Sequence, residues 1–209
     1  MRRRNIKNAS EKVEAFNCLI NPEQIIDFKK IFKNDSPIHL EIGMGKGNFI
    51  IEMAKRNPNI NFIGIEKFES VILQALKKKE ETNLSNLYLI CADCANLEKF
   101  IEPKTIDKIY LNFSDPWPKA RHEKRRLTSN TFLPIYDKLL KQFVLEFKTD
   151  NIGLFEYSLM NFNNNGFIID ELHLDLHQEV EDIVETEYEM RFKETKPIYF
   201  VRVIKWKYM

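Results

Sequence analysis

The 209-residue chain has no apolar run near the roughly 20 residues a bilayer-spanning helix needs, which argues against a membrane protein. Its opening, Met1-Arg2-Arg3-Arg4-Asn5, is basic but leads into polar residues, so no signal peptide is read there and a cytoplasmic location is expected. Cysteine is scarce: Cys18, Cys91 and Cys94 are too few and odd in number for a disulfide framework. Cys91 and Cys94 form a C-x-x-C pair, yet two further ligands for zinc are missing nearby, and the pair ends an apolar run inside the chain. A packing role and no metal are expected. Charge of one sign is also lacking, since the net charge is only +1. That total excludes a uniformly basic nucleic-acid binder but leaves room for a local basic cluster. Internal repeats, low-complexity tracts and linkers rich in Pro, Gly or Ser are absent as well, leaving one domain of ordinary size.

What is present is an alternation of short β-rich runs and longer helical patterns. Strands are expected at 38–42, 61–65, 87–91, 108–113 and 142–147, with helices at 48–56, 70–81, 130–140 and 153–163. Pro58 stops the first of these helices, and Pro134 fits the first turn of the third. Strands separated by such helices form a mainly parallel sheet. The rhythm then breaks. A run from Gly166 through Leu172, Leu174 and Leu176 and a run from Ile198 to Trp206 have no convincing helix between them, so they should pair antiparallel. His173 and His177 would lie on one strand face, too far apart for a metal. The expected architecture is α/β and Rossmann-like: a mainly parallel seven-stranded sheet with a C-terminal antiparallel pair and helices on both faces. This is the arrangement of the class I methyltransferase fold. Residues 1–35 read as a basic, helical extension preceding a catalytic domain at 36–209.

Glu41-Ile42-Gly43-Met44-Gly45-Lys46-Gly47 is a glycine-rich turn between a strand and a helix, the place where a ligand approaches main chain. A dinucleotide fingerprint would want glycine where Asn48 stands, and Glu41 would repel a pyrophosphate. A sulfonium cofactor is cationic, and Glu41 suits it. Glu66 ends the second strand, where a carboxylate accepts from both ribose hydroxyls. Asp93 follows the third strand, positioned for an adenine amino group, and Asp115 follows the fourth. Four acids at four consecutive strand ends mark the edge where open α/β sheets bind ligands. Glu41, Gly43, Gly45, Glu66, Asp93 and Asp115 are therefore the candidate binding residues for S-adenosylmethionine, with S-adenosylhomocysteine as product.

The segment Asn112-Phe113-Ser114-Asp115-Pro116-Trp117-Pro118-Lys119 stiffens the chain with two prolines beside Asp115. Residues 119–126 then carry five Lys/Arg against one Glu, a charge cluster that suggests a polyanionic substrate. With Glu41 to Phe49 upstream, Phe147-Lys148-Thr149-Asp150, Thr186-Glu187-Tyr188-Glu189 and Pro197-Ile198-Tyr199, this segment resembles the bacterial tRNA (guanine-N7-)-methyltransferase family from about Ile38 onward.

The resemblance implies methyl transfer from S-adenosylmethionine to N7 of guanosine 46 in the tRNA variable loop. It implies Asp115 at the active site, and Lys119, Asp150, Thr186, Glu187, Tyr188 and Glu189 on the substrate. It implies Arg121, His122, Glu123, Lys124, Arg125 and Arg126 on the RNA. It further implies no obligatory protein partner, in a monomer or homodimer. Glu189 suits guanine, since a carboxylate accepts from its N1 and N2 donors. Trp117 suits either stacking on the base or a core position. The acidic stretch Glu179, Glu181, Asp182, Glu185, Glu187 reads in its early part as a solvated loop or helix. Rival readings are a class I methyltransferase for another RNA, a protein side chain or a small molecule, an NAD-linked oxidoreductase, and a non-catalytic RNA-binding module. A protein side chain or a small molecule as substrate leaves the 119–126 cluster unexplained, and the oxidoreductase conflicts with Glu41, Asn48 and the C-terminal antiparallel pair. The third would bind tRNA without responding to S-adenosylmethionine.

Overall fold

The computed structural model describes residues 9–20 and 22–205. Arg2, Arg3 and Arg4, and the expected strand end at Trp206, lie outside the described residues. The chain divides into two compact units, Met1–Glu102 and Pro103–Met209.

In the first unit, a short helix α1 (Ala9–Glu14) and strand β1 (Leu19–Ile20) precede helix α2 (Phe28–Phe32). Then come β2 (Ile38–Ile42), α3 (Asn48–Arg56), β3 (Asn61–Glu66), α4 (Glu69–Glu80) and β4 (Leu87–Cys91), followed by a 3-10 segment at Cys94–Lys99. The strands run in the order β1-β4-β3-β2, and all three pairings are parallel. β3 is buried along its whole length, which explains its continuous apolar run. Helix α3 turns Phe49, Ile50, Ile51 and Ala54 inward, and α4 buries Ile72, Leu73, Ala75 and Leu76 while its Lys77 and Glu80 face out.

In the second unit, β5 (Lys108–Asn112) and β6 (Phe143–Thr149) are parallel, separated by a 3-10 segment at Ala120–Arg125 and helix α5 (Leu133–Leu139). Pro134 sits in the first turn of α5, where its missing N–H costs nothing. Helix α6 (Ile152–Asn164) starts from an Asn151 side chain that accepts from Leu154 N–H at 2.8 Å. β7 (Ile168–His173) and β8 (Tyr199–Lys205) follow, with single-turn helices α7 (Leu176–Glu179) and α8 (Glu189–Phe192) between them. β8 is antiparallel to both β6 and β7, as the break in rhythm predicts, in the order β5-β6-β8-β7.

Two expectations need correction. Among the described residues the strands number four in each unit, not seven in all. The added one is β1: it follows helix α1 and pairs through Leu19 and Ile20 with Leu89 and Ile90, and two residues are too short for a period to show. Residues 19–20 of the expected extension are thus tied into the sheet. His173 and His177 also do not share a strand, because β7 ends at His173 and His177 lies in α7.

Candidate functional site

In the first unit, the parallel register of β2, β3 and β4 brings three of the expected acids to one sheet edge. Glu41 lies one residue from the end of β2 and is 1% exposed; Glu66 closes β3; Asp93 follows β4. The glycine turn is pinned to β3, since Gly43 N–H and Met44 N–H both donate to Ile65 O, at 2.8 and 3.0 Å. Gly43 and Gly45 adopt φ of +76° and +60°, and a Cβ built on either meets no atom within 4 Å. Left-handed backbone without a side chain therefore leaves main chain open to a ligand. Glu66 is held by two backbone donors, Gly45 N–H at 3.2 Å and Phe68 N–H at 3.0 Å.

Asp93 caps the 3-10 segment by accepting from Ala95 N–H, and Lys67 donates to its other oxygen. The Lys67 bond, then the Ala95 bond, hold its carboxyl below the usual range despite partial burial. Lys67 was not foreseen, because nothing in its spacing distinguishes it from a surface lysine. These residues fit an adenosyl sulfonium: buried carboxylate for the cationic end, fixed carboxylate for diols, exposed main chain between. Cys91 and Cys94 do not make a reactive pair. Burial pushes their thiols up to about 11 and about 12, so both stay protonated.

The second unit holds the remaining candidates. Asp115 and Asp150 follow β5 and β6, adjacent parallel strands, so both stand at one edge. Asp115 is exposed and lies between two residues with left-handed backbone, Phe113 (φ 51°) and Trp117 (φ 40°). Non-glycine residues hold that conformation only where neighbours fix it. Phe113 N–H donates to Lys148 O at 2.9 Å, tying the start of the segment to β6. Trp117 is half-buried, with the Arg125 guanidinium 4.8 Å from its ring centroid and His122 edge-on at 5.6 Å. It is neither a core residue nor a bare stacking platform.

Lys119, Arg121, Lys124 and Arg125 are exposed. Glu123 and Arg126 differ from their neighbours. Glu123 accepts from Tyr157 Oη at 3.1 Å, and Arg126 donates to the carbonyls of Pro116 and Trp117, at 3.1 and 3.2 Å.

Asp150 Oδ2 accepts from Tyr188 Oη and Lys196 Nζ, both at 2.8 Å. Burial alone would raise its pKa, but the bonds from Lys196 and Tyr188 outweigh that and hold the carboxyl low. The Tyr188 ring packs between Phe113 and Phe192, at centroid distances of 4.9 and 4.6 Å. Asp150, Tyr188 and Phe113 are thereby brought together.

Thr186 and Glu189 form a reciprocal capping box: Thr186 N–H donates to Glu189 Oε2 at 2.7 Å, and Glu189 N–H to Thr186 Oγ1 at 3.1 Å. Glu189 is fully buried, and both its oxygens accept from the buried Lys148 Nζ at 2.9 Å. The resemblance places Glu189 on the guanine; here its carboxylate is engaged by Lys148 and by the first turn of its own helix. The T-x-x-E spacing carried the signal of a cap. Glu187 pairs with Arg191 at 2.7 Å, one turn along. Further up the acidic stretch, Glu185 pairs with Lys193 and Glu179 with His173, so it is not simply solvated.

Among the described residues, no helix is long and apolar enough to cross a membrane. A family model described as "Putative methyltransferase" matches residues 35–201. The tRNA (guanine-N(7)-)-methyltransferase of Limosilactobacillus reuteri (strain DSM 20016) is 51% identical over 191 residues, covering 86% of this chain and 90% of that one. Its counterpart in Pediococcus pentosaceus is 49% identical over 211 residues, covering 95% and 97%. Among solved structures, the 16S rRNA methyltransferase KamB superposes with a TM-score of 0.65 at 11% identity, over 88% of this chain and 96% of that one. An antibiotic-related methyltransferase superposes with a TM-score of 0.61 at 21% identity, over 90% and 99%. At such identities the likeness establishes the Rossmann-like methyltransferase fold alone. Half-identity along nearly the whole length establishes more: the chain belongs to the bacterial tRNA (guanine-N7-)-methyltransferase family.

Proposed function

We propose that the protein transfers a methyl group from S-adenosylmethionine to N7 of a guanine in tRNA, at guanosine 46 of the variable loop. The observation that carries this reading is near-half identity to relatives bearing that activity in their names, over 86–95% of the chain. The local geometry supports it: the first unit supplies residues suited to the donor, and the second supplies residues suited to a polyanionic acceptor.

When bound, S-adenosylmethionine supplies an electrophilic methyl on a sulfonium, transferred by in-line displacement. Glu41, buried at its strand end, balances the cationic methionine portion. Glu66, fixed by Gly45 and Phe68, accepts from the ribose hydroxyls, and Asp93 accepts from the adenine amino group through lone pairs beyond those used by Ala95 and Lys67. Gly43 and Gly45 let the ligand rest on main chain.

Guanine N7 carries a lone pair and no proton, so the chain needs no general base. The ring gains positive charge as the new bond forms, and a carboxylate aimed at it lowers the barrier. Asp115 takes that role. Asp150 and Tyr188, held by Lys196, line the acceptor side with Lys119, and the Thr186–Glu189 capping box holds that wall in shape. Lys119, Arg121, Lys124 and Arg125 engage phosphates. N7 is reached by displacing the nucleotide from its stack.

The test is incubation of the purified protein with an unmodified tRNA transcript and methyl-labelled S-adenosylmethionine, then mapping of the labelled nucleotide. Label at N7 of guanosine 46 supports the reading. Label at another atom or nucleotide refutes the finer assignment, and no label on tRNA refutes the activity.

A further inference from the structure

We propose that Arg126 is a positioning residue for the turn that carries Asp115, and not one of the phosphate contacts among which its basic neighbours place it. The proposal rests on the methyl-transfer reading and assigns it one more working part.

The turn needs a buttress. Phe113 and Trp117 both hold left-handed backbone, and the residues between them include the exposed Asp115. Two prolines limit φ at 116 and 118 but provide no N–H with which the turn could bond itself. Its carbonyls must therefore be satisfied from outside. Arg126 does this with a fork: Nε donates to Pro116 O at 3.1 Å and Nη2 to Trp117 O at 3.2 Å. The two bonds grip the consecutive peptides on either side of the left-handed Trp117.

The guanidinium is itself fixed. Its carbon lies 4.2 Å from the centroid of the Tyr157 ring on α6, and Tyr157 Oη donates to Glu123 at 3.1 Å. Burial, then this bond to Glu123, pushes the Tyr157 hydroxyl up to about 12, so the phenol stays protonated and the contact persists across the physiological range. Just beyond Arg126, Thr128 is buried and bonded to α6 through Ser158 Oγ at 2.7 Å and Asn161 Nδ2 at 2.6 Å. Arg126 thus spans from an anchored segment back to the Asp115 turn. Arg121, Lys124 and Arg125 are exposed, whereas Arg126 is half-buried.

Arginine is required for geometry rather than charge. A lysine would bring the same charge to a phosphate but lacks the planar fork that bridges two carbonyls. Arg126→Lys therefore separates the two roles, with Lys124→Gln as the phosphate-contact comparison and Tyr157→Leu as a second way to loosen the buttress. The full-length protein is assayed for tRNA affinity across a salt series, for the methylation rate at saturating tRNA and donor, and for hydrogen exchange of the peptide covering 113–118. For Arg126→Lys the expected result is a saturated rate lowered by about 10- to 100-fold, from misplacement of the reacting groups. Exchange at 113–118 should quicken, and affinity and its salt slope should stay within about twofold of wild type. Tyr157→Leu should follow the same pattern, and it decides the matter if Arg126→Lys does not fold. Lys124→Gln should lose affinity with a shallower salt slope and leave exchange at 113–118 unchanged. An Arg126→Lys protein with wild-type rate and exchange overturns the proposal. So does a loss confined to affinity with a salt slope reduced by about one. Wild-type protein that fails to methylate tRNA instead overturns the underlying functional reading, while its exchange data still report on the buttress.

Discussion

Glu189→Gln tests whether Glu189 serves the fold or the substrate. In the native protein its carboxylate is fully buried, receives two 2.9 Å bonds from Lys148 Nζ, and lies 3.4 Å from His177 Nε2. Glutamine keeps the size and an oxygen for the capping bond from Thr186 N–H, but it removes the charge and turns NH2 donors toward the Lys148 ammonium in place of the other oxygen. It leaves the Lys148 ammonium, 6% exposed at its side chain, with the Val184 carbonyl at 3.2 Å and an amide oxygen. Removing one partner of a buried pair costs roughly 3–5 kcal/mol. For a chain of this size each kcal/mol lowers Tm by about 2–4 °C, so the expected fall is roughly 6–20 °C. Thr186→Ala breaks only the cap and should cost about 1 kcal/mol. Lys148→Met with Glu189→Met removes both charges and should recover much of the loss. Circular dichroism melts of Lys148→Met, Glu189→Met and the double variant give the coupling of the pair directly. If Glu189→Gln melts with the wild type and only its KM for tRNA rises, the residue is a substrate contact and the structural argument is refuted.

Four other outcomes follow from the same geometry. His173 has a raised pKa: burial opposes its charge, but the bonds to Glu171 and Glu179 outweigh it. A raised folded pKa contributes stability that is full below the unfolded value of about 6.5 and lost as pH rises through the folded value. His173→Gln should therefore lower Tm in mildly acidic buffer and hardly at all in alkaline buffer, which melts across a pH series will check. Asp150 has a lowered pKa, so its contribution is present above the unfolded value of about 3.9 and lost as pH falls through the folded one. Lys196→Met should move that loss to higher pH, visible in carboxyl NMR titration. Gly64→Ala places a Cβ 2.3 Å from Met44 Sδ and 3.0 Å from Leu89 Cδ2, beneath the glycine turn. Overpacking of about 1–3 kcal/mol is expected, with weaker S-adenosylhomocysteine binding by calorimetry and unchanged tRNA affinity. Asp115→Asn should depress the single-turnover methylation rate, and the wild-type chemical step should show no solvent deuterium isotope effect, because N7 has no proton to remove. A clear solvent isotope effect on that step, lost in the variant, would restore a base role.

Much of the fold was legible because most elements carry their own period. α3 falls on 48–56 as the apolar spacing and Pro58 predict, and the buried β3 reads as a short apolar run. β1 was not legible, since two residues hold no period and its reason to exist is Leu89 and Ile90, 70 positions away. Helices α7 and α8 were missed for a related reason: a single turn such as Glu189–Phe192 is held by a cap and by Lys148 from β6, not by its own apolar face. At the site, residue identities were legible but their duties were not. Glu66, Asp93 and Asp115 stand at strand ends as the spacing implies. That Arg126 turns back on Pro116 while Lys124 faces out depends on where Tyr157 lies, and no local pattern records that.

The small net charge of +1 also loses its difficulty once the charges are placed. The long acidic stretch near the C-terminus would repel RNA if its charges stood bare. Instead Glu179 pairs with His173, Glu185 with Lys193, Glu187 with Arg191 and Glu189 with Lys148, so much of its field is cancelled at short range. Asp150 is matched by Lys196 in the same way. Lys119, Arg121 and Lys124 are exposed and enter none of the ion pairs found among the described residues. Screening limits exposed charges to about 8–10 Å, so an approaching phosphate responds to this local cluster and not to the sum over the chain. A nearly neutral protein can therefore present a cationic surface, provided its acids are paired where its cations are not.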